Sequence, residues 1–369
     1  MFVAMRDIRY ARGRFALMGA VVTLITTLVV FLYGLTGGLA AGASSAVAQL
    51  PARGIVFGAP PGAVPEVSFS DSSISAAQLA AWRSAPGAGQ VEPLGVAMSR
   101  LTTGGAAGSV SVLGVAEALL PPLVSGAAPG DGQVAVGRGL AAADHVTVGS
   151  TVTVGARTLQ VSGITADRSY GHAPTVWTTE STWQQVSGAR QPSALAVGVG
   201  GGRAAAWSAA AAAVDRAADT DAVSRSAALA GIDGFSAEQG SLQLIQGFLF
   251  AVSALVVGAF FTVWTVQRRA DIAVLKALGA SSGYLVRDAL GQALILLLLG
   301  TSVGAALGLA GGVVAGGGQS GGDGPPFVLG AATVGVPVLA MVLLGLVGAA
   351  LAVRRITSVD PLTALGANR

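Results

Sequence analysis

The 369-residue chain predicts a membrane α-helical protein: four transmembrane helices, with a large α+β extracytoplasmic domain between helices 1 and 2. Three observations carry this. Hydrophobic residues make up 52% of the chain and charged residues only 11%, against about 25% charged in an ordinary soluble domain; mean hydropathy is +0.68. Four long stretches lack Asp, Glu, Lys and Arg: 38 residues between Arg14 and Arg53, 29 between Glu238 and Arg268, 34 between Asp288 and Asp323, and 30 between Asp323 and Arg354. A bilayer-spanning helix needs about 20 apolar residues. Third, the basic residues cluster. Segments 1–14, 267–288 and 354–369 hold eleven of the 21 Lys/Arg and four acids, net +7, whereas the region between the first two spans has ten basic and thirteen acidic residues, net −3.

The elements follow in chain order. Residues 1–14 place Met1, Met5 and Ile8 on one face and Arg6, Arg9 and Arg12 elsewhere, the pattern of a cytoplasmic amphipathic elbow helix lying in the membrane interface. Span one covers 15–40. Its apolar stretch is too long for the roughly 7–15-residue core of a signal peptide, although Ala46-Val47-Ala48 resembles a small-residue cleavage site. Residues 41–242 form the extracytoplasmic domain. Within it Thr147-Val148, Thr151 to Val154 and Thr158 to Val161 alternate as strands between glycine turns, as do Val110 to Leu113 and Gln133 to Val136. Gly139 to His145 reads as a short helix, and Ala-rich 204–230 as a longer one. Trp177 and Trp183 read as domain core. Span two covers 243–266, span three 286–314, a short outer loop 315–327, span four 328–353, and a tail 354–369. The positive-inside rule puts both termini and the 267–285 loop in the cytoplasm.

Composition excludes several chemistries. There is no cysteine, which removes disulfides, thiol nucleophiles and thiolate metal sites. The two histidines, His145 and His172, have no acid at metal-motif spacing. No serine sits in a G-x-S-x-G context, and His145 beside Asp144 reads as a solvated helix end. A net charge of +3 gives no argument for nucleic acid. The chain also lacks G-x-x-x-x-G-K-[ST]; its one lysine, Lys276, follows Val274-Leu275. An ATP-driven role therefore requires a separate ATPase.

The most informative segment follows span two: Gln267-Arg268-Arg269-Ala270-Asp271-Ile272-Ala273-Val274-Leu275-Lys276-Ala277-Leu278-Gly279-Ala280-Ser281. Asp271 early and Lys276 late suit the helix macrodipole. Ile272, Leu275 and Leu278 recur at helical spacing, Gly279 is placed as a left-handed terminator, and Ser281 or Ser282 can cap the next helix. This predicts a short helix at the cytoplasmic mouth of the spans.

That segment resembles the coupling motif, ERTREIGILKALGA, of FtsX-like/MacB-type ABC transporter permeases. Arg354 to Leu365 is similar to the family's closing DP-x-x-AL signature through Asp360-Pro361-Leu362-Thr363-Ala364-Leu365, and Val134 to Thr165 is similar to part of the family's outer domain. The chain departs at Arg268-Arg269-Ala270-Asp271, where the family often has Arg-x-x-Glu, and in its Ala/Gly-rich outer domain. Within the family the span-two stretch QGFLFAVSALVVGAFFTVWTVQRR looks closest to the DevC/HrtB branch, which contains haem-efflux permeases.

The resemblance implies a permease of a bacterial plasma membrane with no cofactor of its own. ATP and Mg²⁺ reside on a partner ABC ATPase present in two copies. Asp271, Ile272, Leu275, Lys276, Leu278 and Gly279 form the coupling helix that docks into it. Four helices are few for a substrate path, so a homodimer of eight is the simplest assembly. The cargo implied is haem or another hydrophobic small molecule. The other reading is a membrane arm relaying ATPase motion to an outer partner such as a cell-wall hydrolase. For haem, Tyr33 and Glu238 are the candidate ligands. Tyr33 is about 27 Å along span one at 1.5 Å per residue, near the outer interface, and Glu238 precedes span two at the same level. Tyrosinate and carboxylate are hard oxygen donors for ferric iron. Tyr33 equally suits an interfacial aromatic belt, and Ser236 with Gln239 has capping-box spacing, which puts Glu238 in the favourable first turn of a helix.

Overall fold

The structure, a computed structural model, describes residues 12–60, 62–199, 204–267, 274, 278–315, 327, 328 and 330–357. Residues 1–11 of the elbow expected over 1–14, and the closing signature at 360–365, lie outside the described residues; 12–14 are the first residues of a helix that continues into span one. In chain order the elements are α1 (Arg12–Ala48), β1 (Gly54–Phe57), α2 (Ala76–Ser84), β2 (Gln90–Thr103), β3 (Ala106–Val115), β4 (Leu123–Gly126), β5 (Gln133–Gly137), α3 (Arg138–Ala143), β6 (Thr151–Val154), β7 (Arg157–Thr165), β8 (Ser169–Tyr170), β9 (Ala173–Thr178), α4 (Glu180–Ser187), β10 (Ala194–Val199), α5 (Ala204–Ala218), β11 (Asp221–Ser224), α6 (Phe235–Gln267), α7 (Ser282–Ala315) and α8 (Ala331–Thr357). The chain divides into an outer unit, Leu39–Gly240, and a helical unit formed by the remaining described residues.

Among the described residues four helices are long and apolar enough to cross a membrane: Ala16–Ala48, Phe235–Gln267, Gly283–Ala315 and Ala331–Ala352. A membrane offers no hydrophobic drive for helices to associate, so close van der Waals approach through small residues does the work. In α7, Gly300, Gly304 and Gly308 recur every fourth residue and receive Val22, Thr23, Thr26 and Val30 of α1. A Cβ on Gly304 would lie 2.6 Å from the Thr23 carbonyl oxygen. Thr23 Oγ1 donates to the Gly300 carbonyl at 3.2 Å. The Phe327 ring fills slots at Gly34 and Gly312 and meets Phe31 with centroids 5.7 Å apart. Several hydroxyls bond back within their own helices, Thr27 to Thr23, Ser253 to Leu249 and Thr265 to Phe261, as an apolar solvent favours, whereas the buried Thr26 Oγ1 at the α1–α7 seam has no partner among the described residues.

The outer unit is built on one eleven-stranded sheet, ordered β11-β1-β10-β2-β3-β9-β5-β7-β4. Strand β6 pairs with both β2 and β7, so β2-β3-β9-β5-β7-β6 closes into a ring. Most pairs are antiparallel; β3–β9 and β5–β7 are parallel. Inside the ring Leu101, Val112, Val134, Val154, Val161 and Trp183 form an apolar core. Trp183 fits because Gly95 and Gly114 face each other across β2–β3. A Cβ on either would lie 2.4 Å from Trp183. Beyond the ring, β1 and β10 are buried along their whole length. Trp82, Ile74 and Ala211 cover one face and Val47, Leu50, Phe69 and Trp177 the other, so these strands carry no alternating pattern. Both outer-domain tryptophans singled out in the sequence are core.

Three local expectations are corrected. Thr147-Val148 is a turn, not a strand: the Thr147 amide donates to Ser150 Oγ and the Ser150 amide to the Thr147 carbonyl, a hydroxyl-closed turn that competes with extension. The Ala-rich helix ends at Ala218, well before residue 230, and Asp219 turns left-handed at φ 53°. The Asp215 carboxylate accepts from the Thr220 hydroxyl and the Ala222 amide, releasing β11 from the helix. Ser236 is not a cap; α6 starts at Phe235, after Gly234 at φ 76°, and the Glu238 amide donates to the Gly234 carbonyl.

Candidate functional site

Between α6 and α7, Asp271, Ile272, Leu275 and Lys276 lie outside the described residues. Around them the geometry is definite. The Leu278 amide donates to the Val274 carbonyl at 3.0 Å, one helical turn. Gly279 then adopts φ 92°, and Ser281 Oγ accepts from the Tyr284 amide at 3.3 Å to cap α7. A Cβ on Gly279 would meet nothing within 4 Å, so glycine is required here by the left-handed backbone and not by crowding. Val274 and Leu278 are 60% and 79% exposed. Val274 was absent from the expected apolar face, although its i, i+4 spacing to Leu278 is visible in the sequence.

Tyr33 is a half-buried residue of α1 within the helical unit, and Glu238 belongs to the outer unit. Glu238 has a partner the sequence did not suggest: its Oε2 lies 2.9 Å from Nε2 of His172. His172 and Gly171 form the two-residue turn between β8 and β9, both with positive φ, 61° and 56°, as a tight hairpin of this twist requires. The turn is fastened to α1. The Gly171 amide donates to the Ala43 carbonyl at 2.8 Å, the His172 amide to the Gly42 carbonyl at 3.2 Å, and the Ser169 amide to Ser45 Oγ at 2.9 Å. One hairpin tip therefore grips both α1 and α6 inside the outer unit. Tyr170 beneath it packs edge-on against Phe69. Burial and the nearby Asp233 push its phenol well above the ordinary range. No local motif marks His172, because its partner is 66 residues away.

Other polar residues close local structure. Thr103 Oγ1 donates to Asp144 beside His145, which sits at φ 54° at the end of α3. Asp131 accepts from Thr179 and Ser181 at the start of α4, which lowers its pKa. Among the described residues, no group of three or more His, Asp or Glu converges in a way that could hold a metal ion. In the helical unit an apolar hollow of about 250 Å³ opens between α1 and α7 beside Gly19, Thr23, Leu299 and Val303.

Residues 244–361 match the FtsX-like permease C-terminal family. The chain is 26% identical over 385 residues to an uncharacterized ABC transporter permease of Mycobacterium tuberculosis, Rv2563, covering 99% of both chains. A second from that organism, Rv0072, is 26% identical over 396 residues, again covering 99% of each. HrtB of Staphylococcus haemolyticus, named as a hemin transport system permease protein, is 32% identical over 135 residues, 37% of either chain. Among solved structures, the periplasmic region of MacB from Actinobacillus actinomycetemcomitans covers 48% of this chain and 91% of its own, with 12% identity and a TM-score of 0.37. The extracellular domain of the transporter YknZ from Gram-positive bacteria covers 47% and 98%, with 12% identity and a TM-score of 0.36. Residues 244–361 are thus similar to the FtsX-like permease domain, and the chain over its whole length is similar to ABC transporter permeases.

Proposed function

We propose that the chain is the permease subunit of an ABC exporter in a bacterial plasma membrane. It works as a homodimer, with both termini and the α6–α7 loop in the cytoplasm, and is driven by a separate ATPase in two copies that carries ATP and Mg²⁺. The observation that carries this reading is the exposed Val274–Leu278 pair, closed by Gly279 and Ser281, inside the FtsX-like domain. An apolar pair held on a defined turn at a loop rich in arginine suits insertion into a partner, whereas a plain connector needs neither the pair nor the stop. Asp271, Ile272, Leu275 and Lys276 complete the proposed docking element. The cargo is a hydrophobic small molecule; the match to HrtB over 135 residues favours haem, with Tyr33 and Glu238 as oxygen donors.

The test of coupling is co-purification of an ABC ATPase with the tagged chain and stimulation of its ATP hydrolysis. Leu275→Asp or Leu278→Asp should abolish both while the chain stays in the membrane, since an unpaired charge buried at the interface costs several kcal/mol by order of magnitude. Wild-type behaviour in both variants removes the coupling role. For the cargo, the purified protein should take up haemin with a saturable Soret band that Glu238→Ala shifts or abolishes. A wild-type protein without such a band rules out haem and leaves another apolar cargo.

A further inference from the structure

We propose that a cleft in the outer unit, separate from the residues discussed above, binds a phosphate-bearing ligand through Arg53 and Arg225. The cleft has a volume of about 610 Å³ and lies where the end of α1 meets β1 and β11; Arg53, Arg225, Ser224 and Ser226 line it, with Ala48, Ala52 and Leu229 as its apolar flank.

The arrangement of the arginines points to an anion. Strands β1 and β11 pair with Gly54 opposite Ser224. The Arg225 amide donates to the Arg53 carbonyl at 3.1 Å, so the register continues by one residue and sets Arg53 opposite Arg225. Opposed residues of an antiparallel pair share a face, and like charges placed there are destabilising. No carboxylate relieves the pair: the ion pairs among the described residues are Arg138–Asp167 and His172–Glu238, and no acid lines the cleft.

Both side chains are half-buried and held in place. The stem of Arg53 lies over Gly198, at φ 70°, where a Cβ would come within 2.7 Å of Arg53 Cδ. Arg225 Nη1 donates to the Leu50 carbonyl just past the end of α1. That bond explains Arg225 as a helix-end contact, but it uses one of five guanidinium N–H groups and gives no reason for a second arginine opposite it. Ser224 Oγ and Ser226 Oγ are 3.1 Å apart; one donates to the other, and the second keeps its hydrogen for a ligand.

Two guanidinium forks and a hydroxyl offer more donors than a single carboxylate accepts. A phosphate group, with three acceptor oxygens, matches them. The cleft exceeds a bare phosphate and falls within the roughly 300–1,000 Å³ of small-molecule sites. The apolar flank suits the carbon portion of an organic phosphate. Two sources share this chemistry, the headgroup of an anionic phospholipid and a soluble phosphate ester.

The experiment uses the full chain in phosphatidylcholine nanodiscs, titrated with inorganic pyrophosphate by calorimetry. In parallel, nanodiscs containing phosphatidylglycerol are compared with phosphatidylcholine alone for lipid retained in native mass spectrometry. Arg53→Gln should weaken whichever interaction is seen at least tenfold without lowering the thermal midpoint, since it also relieves the like-charge opposition. Arg225→Lys, which keeps the charge and loses the fork, should weaken it less. Should Arg53→Gln fail to fold, the Ser224→Ala/Ser226→Ala double variant replaces it, with a several-fold weakening expected. Pyrophosphate binding that Arg53→Gln abolishes identifies a soluble ligand, and phosphatidylglycerol retention lost in the same variant identifies a lipid. Absence of both, or binding indifferent to the variants, overturns the site. A failed haemin or ATPase experiment leaves this result untouched, because neither Tyr33, Glu238 nor the α6–α7 loop lines the cleft.

Discussion

The imidazole of His172 meets the carboxylate of Glu238 at 2.9 Å, joining the β8–β9 turn to the first turn of α6. Both side chains are partly exposed, so a double-mutant cycle with His172→Gln and Glu238→Gln should give a coupling of about 0.2–1 kcal/mol. The sensitive readout is hydrogen exchange of the Gly171 and His172 amides, which are protected by α1 carbonyls. Either substitution should speed their exchange by no more than about fivefold. A cargo that recruits Glu238 has to displace His172 first, so His172→Ala should strengthen, not weaken, any haemin binding that depends on Glu238.

The ring core depends on a tryptophan seated over two glycines. Gly114→Ala should destabilise the protein by about 1–3 kcal/mol, because the added carbon meets the Trp183 side chain. Trp183→Ala should cost about 3–5 kcal/mol. Near-ultraviolet circular dichroism melts report both.

In the helical unit, Gly304→Ile should separate α7 from α1 and cost at least about 1–3 kcal/mol, read as a lower melting temperature in detergent. Gly335→Ala is the control. Nothing lies within 4 Å of the added carbon, and an interior helical glycine is about 0.5–1 kcal/mol worse than alanine. That variant should be neutral or slightly more stable.

Asp215 carries a pH dependence. Burial raises its pKa, and its hydrogen bonds to Thr220 and Ala222 offset only part of that rise. The folded chain then holds the proton more tightly than the unfolded chain. Asp215's contribution is largest below the ordinary aspartate value of about 3.9 and declines as pH rises through the raised pKa. Asp215→Asn should remove that slope from melting curves compared between pH 4 and pH 7. Asp215→Ala strips the acceptors from both donors, whereas Asp215→Asn keeps one carbonyl oxygen, so Asp215→Ala should cost about 1–2 kcal/mol more than Asp215→Asn at pH 7.

Orientation is open to a labelling test, since the native chain has no cysteine. Ser109→Cys, exposed at the β2–β3 hairpin, should react with an impermeant maleimide in intact cells. Leu278→Cys, also at an exposed position, should react only after permeabilisation. The reverse pattern would invert the topology drawn from the arginines.

Much of this architecture was written locally. Four apolar stretches, each longer than a bilayer requires, and a polar insert after the first are properties of composition that survive any packing. The same holds for the left-handed stop at Gly279, the serine cap that follows it and the strand at 151–154, where residue type and nearest neighbours decide the backbone. Other features came only with the tertiary fold. The closure of the ring by β6, the glycine slot for Trp183, the bond between His172 and Glu238, and the opposition of Arg53 and Arg225 all join residues far apart in the chain. A strand's alternation says which face is buried but not which strand lies beside it or in what register. A histidine, a glutamate or an arginine likewise carries no local mark of its partner, because pairing energy depends on distance in space, which packing alone sets.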